Sequence, residues 1–124
     1  MTMNLSSGID LIEIDRIRGA IERHGDKFIK RIFTENEQRE CGGRAASLAA
    51  RFAAKEATAK ALGCGIGDVS WLEIEVVGDE NHAPHLVLHG AAEKMAKDLG
   101  LSAWSLSLSH THEHAIAFVV AMAS

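Results

Sequence analysis

From Ala45 to Leu62 the sequence AASLAARFAAKEATAKAL sets Ala49, Ala50, Ala53, Ala54, Ala57 and Ala61 on one side of a helix, because successive residues turn by about 100°. A side built from methyl groups lets another element approach closely. The segment therefore predicts a long helix pressed against a neighbouring layer and stopped by Gly63. Its other side is mixed. Arg51, Lys55 and Glu56 fall within roughly 140° of arc by the same geometry, interleaved with Leu48, Phe52 and Leu62. Lys60 stands four residues beyond Glu56, within reach of it.

The rest of the chain alternates between helical and strand periods. Leu5 to Asp10 reads as a short strand leaving through Gly8. Leu11, Ile14, Ile17 and Ile21 recur at helical spacing, with Asp10 and Glu13 as a capping box and Gly25 as the stop. Thr34 and Glu37 repeat the capping signal for a shorter helix ending before Gly42-Gly43. Trp71–Val77 and Pro84–His89 read as two strands joined by a turn over Gly78–Ala83. A helix over Ala91–Leu99, closed by Gly100, precedes strands over Trp104–His110 and Ala115–Ala121. Helices with hairpins, and no regular βαβ units, predict an α+β fold with a largely antiparallel sheet. With neither repeats nor a linker, residues 1–124 read as one domain.

Charge narrows the partners. The net charge of −4 argues against nucleic-acid binding, which needs a positive surface. Yet Arg16, Arg18, Arg23, Lys27, Lys30 and Arg31 face only Glu22 and Asp26 within one short tract. That is a local +4 against −8 elsewhere, and it suggests a specific anionic partner. Cys41 and Cys64 lack metal-knuckle spacing and read as reduced thiols. No leader-like tract or membrane-length apolar run stands out, so the expected location is the cytoplasm, with no membrane contact.

Three places hold groups suited to chemistry. On the long helix, Arg51, Lys55 and Lys60 around Glu56 fit either a salt-bridged surface or a polyanion site. In the second case the bases hold phosphates and the carboxylate holds a divalent metal. Magnesium takes oxygen ligands, often one or two carboxylates completed by phosphates and water. Asp10 is the second carboxylate available, unless it only caps the following helix. Ser109-His110-Thr111-His112-Glu113-His114 is the third place. His110, ending a strand, can orient a phosphate or accept a proton. The three histidines could instead bind zinc if they shared one strand face, but they coincide with a turn. Gly63-Cys64-Gly65-Ile66-Gly67 follows a helix, where carbonyls rather than amides are offered, so it reads as a helix stop.

Gly8-Ile9-Asp10-Leu11, Arg31-Ile32-Phe33-Thr34-Glu35-Asn36-Glu37, Arg51-Phe52-Ala53-Ala54-Lys55-Glu56-Ala57 and Ser107-Leu108-Ser109-His110-Thr111 occur in one order across nearly the whole chain. As an ordered set they resemble the bacterial holo-acyl-carrier-protein synthases, small 4′-phosphopantetheinyl transferases. The resemblance implies a pseudo-symmetric α+β fold, a homotrimer with sites between subunits, and a role in fatty-acid biosynthesis. It implies magnesium-dependent transfer of phosphopantetheine from coenzyme A to a serine of acyl carrier protein, releasing 3′,5′-ADP. Asp10 and Glu56 match the metal positions. Arg51, Lys55, Lys60 and His110 match coenzyme A contacts, and Arg16 and Arg23 match the carrier-docking surface. Lys60 is expected to neutralise charge, and Glu56, acting through a water, is the candidate general base.

Two stretches depart from the family pattern. His112-Glu113-His114 replaces a basic residue, a glutamate and an aromatic, and Asp26 takes a basic docking position with Lys27 beside it. If the first helix continues past Gly25, Lys27 joins Arg16 and Arg23 on one side of it. The competing readings are a zinc hydrolase built on His110, His112 and His114, and a non-catalytic coenzyme A-binding protein.

Overall fold

Cross-strand pairing, not helical periodicity, decides the N-terminal segment. In a computed structural model that describes residues 4–124, strand β1 runs through Leu5–Glu13. It pairs antiparallel with β5 (His114–Met122) from Leu5↔Met122 to Glu13↔His114. Strand β4 (Ala103–His110) borders β5 on its other side, giving the order β1-β5-β4. Asp10 therefore sits within a strand, opposite Ala117, and not at a helix start. Leu11 faces outward and is exposed. Helix α1 begins only at Ile14 and runs to His24.

Gly25, at φ 54°, ends α1, and a separate helix α2 (Asp26–Ile32) follows. A positive φ suits glycine and interrupts the α-helical path. Arg16 and Arg23 thus share α1, whereas Lys27 lies on α2. Helix α3 (Glu35–Cys41) begins with the expected capping box: Thr34 Oγ1 accepts from Glu37 N, and Glu37 accepts from Thr34 N.

Helix α4 (Ala45–Ala61) lies against β1 and β5. Its alanine side is buried as the pattern required, facing Ala115, Ala117 and Val119 of β5 across one core. Trp71–Glu73, expected as the start of a strand, forms a 3-10 turn. Ser70 caps it and Glu73 accepts from Ser70 N. β2 (Ile74–Gly78) and β3 (Pro84–Leu88) then make a separate hairpin. Helix α5 (Gly90–Asp98) covers a second, smaller core formed by Ala59, Leu62, Val69, Ile74, Ala92 and Ala96.

The sheet's two faces differ. Gly8, Ile12, Ala115, Ala117 and Val119 point to α4 and are buried. Leu5, Ile9, Leu11, Phe118 and Met122 point away, each between 45% and 62% exposed. Among the described residues no helix is long and apolar enough to cross a membrane.

Candidate active site

The pleat of β1 sends Ser6, Gly8, Asp10 and Ile12 toward α4, since alternate residues share a face. Gly8 is where strand and helix come closest: a Cβ there would lie 1.9 Å from the carbonyl oxygen of Ala57. Ser6 donates to the Ala61 carbonyl oxygen at 2.5 Å. This contact brings Asp10 to the helix's polar residues. Lys60 Nζ donates to Asp10 Oδ1 at 3.1 Å and to the Ile9 carbonyl oxygen at 2.8 Å.

Glu56 belongs to the same group. Burial pushes its carboxyl above the ordinary carboxylate range, and the negative charge of Asp10 pushes it further. Lys60 and Arg16 act in the opposite direction. Two half-buried carboxylates repelling one another form a site that a cation relieves. Their hard oxygen donors fit magnesium, which commonly takes one or two carboxylates and leaves other positions to substrate and water. Among the described residues no three His, Cys, Asp or Glu side chains gather as a metal cluster.

The remaining helix cations do not join this group. Lys55 was expected at the coenzyme A surface, yet it is completely buried. Its ammonium donates to Glu37 Oε1 at 2.8 Å, the Trp71 carbonyl oxygen at 2.9 Å and the Ile74 carbonyl oxygen at 2.5 Å. All three N–H groups are spent, so none is left for a phosphate. Burial lowers the Lys55 pKa, while Glu37 holds it up. Arg51 takes a third direction. It donates to Glu40 Oε1 at 2.7 Å and to Cys41 Sγ at 3.0 Å, while its Nε is buried without a partner. Arg51 lines a cavity of about 420 Å³ with Gly78, His82, Pro84 and Ser107.

His110 lies at the exposed end of β4, opposite Ala115. It faces the helix side of the sheet, but β5 separates it from β1 and Asp10. Thr111 N donates to the His114 carbonyl oxygen at 2.8 Å, closing a tight turn. His112 sits in that turn, and His114 has already entered β5 opposite Glu13.

Two bases of the tract, Lys27 and Arg31, border a cavity that sequence reasoning missed. Lys27, Phe28, Arg31, Phe52 and Trp71 line about 580 Å³. The Phe52 and Trp71 rings pack at 4.6 Å between centroids. Phe28, apolar amid the bases, was the available signal. Phe52 and Trp71 arrive from distant segments, so spacing alone carried no hint of them.

With this geometry in hand, comparison with known proteins is specific. The sequence profile of the 4′-phosphopantetheinyl transferase superfamily matches residues 6–119. The holo-[acyl-carrier-protein] synthase of Herpetosiphon aurantiacus is 53% identical over 125 residues, covering 95% of this chain and 98% of that one. That of Moorella thermoacetica is 44% identical over 123 residues, covering 97% and 95%. Among solved structures, the Helicobacter pylori holo-[acyl-carrier-protein] synthase in complex with coenzyme A superposes with a TM-score of 0.85 at 34% identity, covering 93% of this chain and 98% of that one. The Bacillus anthracis synthase, in complex with coenzyme A (3′,5′-ADP), gives 0.80 at 39% identity, covering 99% and 100%.

Proposed function

This chain belongs to the 4′-phosphopantetheinyl transferase superfamily, as a holo-[acyl-carrier-protein] synthase, and we propose that it transfers the phosphopantetheine arm of coenzyme A to a serine of acyl carrier protein in a magnesium-dependent reaction. The meeting of Asp10, Glu56 and Lys60 across β1 and α4 carries this reading. Asp10 and Glu56 would hold magnesium, which when bound supplies positive charge against the diphosphate oxygens.

The carrier serine oxygen forms a bond to the pantetheine-side phosphorus. The phosphorus–oxygen bond to the nucleotide breaks, and its electron pair leaves with 3′,5′-ADP. Such a transfer is catalysed mostly by positioning and by countering negative charge. Lys60, exposed beside Asp10, is placed to neutralise charge. Glu56, with its raised pKa, suits acceptance of the serine proton. The test is release of 3′,5′-ADP from coenzyme A. It should require both magnesium and an apo carrier, and should vanish with a carrier whose serine is replaced by alanine. Release independent of the carrier would contradict the reading.

A homotrimer with sites between subunits is part of this reading. The apolar sheet face of Leu5, Ile9, Leu11, Phe118 and Met122 supports it, because a patch of this kind marks an association surface. So does His110, which one chain alone does not bring to Asp10. Light scattering at micromolar concentration should give three times the 13.3 kDa chain mass. A fully active monomer would contradict it. Replacing His112 and His114 together by alanine should leave turnover nearly unchanged. His110→Ala should cost about ten-fold or more, the scale of a lost charge-assisted hydrogen bond. Equal losses at all three, with release of bound zinc, would favour a histidine metal site.

Arg16, Arg23 and Lys27 are proposed to dock the carrier beside the Phe28, Phe52 and Trp71 cavity. Exposed ion pairs are worth about 1 kcal/mol or less, so removing one charge should cost only a few-fold. Arg16→Glu or Arg23→Glu should raise the Michaelis constant for carrier by about ten-fold at low salt, with added salt shrinking the difference. The constant for coenzyme A should barely move. Unchanged carrier kinetics at low salt would remove α1 from the docking surface.

A further inference from the structure

The buried Lys55–Glu37 pair touches neither Asp10, Glu56 nor Lys60 in the ion-pair and hydrogen-bond network. It nevertheless ties together four elements. Lys55 projects from α4 and binds the Trp71 and Ile74 carbonyl oxygens. Glu37 accepts from Lys55 and from Thr34 N through Oε1, and from Val76 N at 2.9 Å through Oε2. The 3-10 turn, β2, α3 and α4 are thus pinned at one point. The Phe33 ring lies 5.9 Å from the ammonium, and both charged side chains are fully buried.

A buried ion pair is seldom the most stable filling for its space. A well-packed apolar replacement often does as well, and in some proteins what the pair adds is the selection of a single geometry. Here the geometry concerns Trp71. Lys55 holds the Trp71 backbone, while Phe52, three residues earlier on the same helix, packs on its ring at 4.6 Å. Both aromatic rings wall the cavity whose rim carries Lys27 and Arg31.

We propose that Lys55 and Glu37 are positioning residues that fix Trp71 against Phe52, and so set the apolar wall on which the carrier protein docks. The docking part of this rests on the carrier-binding reading above. Neither residue meets substrate. Their removal should therefore weaken carrier binding while leaving the coenzyme A site and the chemical step intact.

The experiment compares Lys55→Met, the paired Lys55→Met/Glu37→Gln, and the milder Glu37→Asp. Each is assayed below its own melting temperature. Lys55→Met leaves a buried carboxylate uncompensated and should be the least stable; the paired variant removes both charges, and Glu37→Asp keeps both while drawing the carboxylate back. Folded variants should show the carrier Michaelis constant raised, by about ten-fold for the first two and less for the third. The coenzyme A constant and kcat should stay within about two-fold, since only uniform binding is lost. In a Trp104→Phe background, Trp71 emission should shift to the red in the same order. An unchanged carrier constant in any folded Lys55 variant, or in Glu37→Asp if that alone folds, overturns the proposal. A fall in kcat with carrier binding intact also overturns it, because Lys55 would then act through its neighbour Glu56. If the wild-type protein modifies no carrier, the functional reading has failed. The Trp71 emission then decides the structural half alone: an unshifted spectrum refutes it.

Discussion

Replacing Glu56 by glutamine, or Asp10 by asparagine, should lower kcat/KM by about 10²–10³-fold, the scale of losing one preorganised electrostatic group. Each change keeps the shape of the side chain and removes one hard anionic oxygen ligand. Asparagine at position 10 retains an oxygen for Lys60 Nζ, so the contact between β1 and α4 survives. Stability should respond differently from activity. Burial and Asp10 hold the Glu56 carboxyl above its ordinary range, so ionising it costs more in the folded, metal-free protein than in the unfolded chain. That penalty is absent below the unfolded pKa and complete above the folded one. At neutral pH glutamine removes it. Without metal, Glu56→Gln should melt at or above the wild-type temperature. Magnesium should raise the wild-type midpoint, because it binds the folded state, and leave the variant's unmoved. Thermal melts in chelator and in excess magnesium read both effects. Near-normal turnover of either variant at limiting magnesium would mean the site is misassigned.

Gly8→Ala should be the most damaging small substitution in the chain. The added carbon would lie 1.9 Å from the Ala57 oxygen, 2.8 Å from the Ala57 carbonyl carbon and 3.1 Å from Ala61 N. All three are backbone atoms of α4, so no rotamer change relieves the clash, and strand and helix must separate. Overpacking of a core usually costs 1–3 kcal/mol, and a backbone clash places this case at about 3 kcal/mol or more. At this chain length the melting temperature should drop by roughly 10 °C or more. The same movement draws Asp10 away from Glu56 and Lys60, so the folded fraction should also lose activity. Gly19→Ala is the control. Its Cβ meets only the end of the Arg23 side chain, at 3.1 Å, and alanine is the better helix former. It should melt at or above the wild-type temperature. Equal melting of Gly8→Ala and wild type would show that the strand and helix do not pack this closely.

What could be read in advance followed from how local its cause was. The alanine side of α4 and the Thr34–Glu37 capping box depend on neighbours in sequence, and both occur where expected. Most strand and helix positions were legible for the same reason. β1 was misread beyond Asp10, because its partner is β5, about a hundred residues away. Leu11, Ile14 and Ile17 mimic a helical period, and nothing local reveals that Leu11 pairs across to Ile116. Lys55 shows the same limit within the site. Its position on the helix was correct, but its partners lie on α3, the 3-10 turn and β2. Asp10 could be offered as a second carboxylate for Glu56, but only the ordered motifs favoured that over a helix cap, since spacing could not show that Gly8 lets their elements meet.

Intact-mass spectrometry of an apo acyl carrier protein, incubated with coenzyme A, magnesium and this protein, tests the central claim most directly. The carrier should gain the mass of one phosphopantetheine group on its serine, with chelator, Asp10→Asn and Glu56→Gln each suppressing the gain. A carrier mass unchanged by the wild-type protein, or gained equally with Asp10→Asn and Glu56→Gln, would contradict the account.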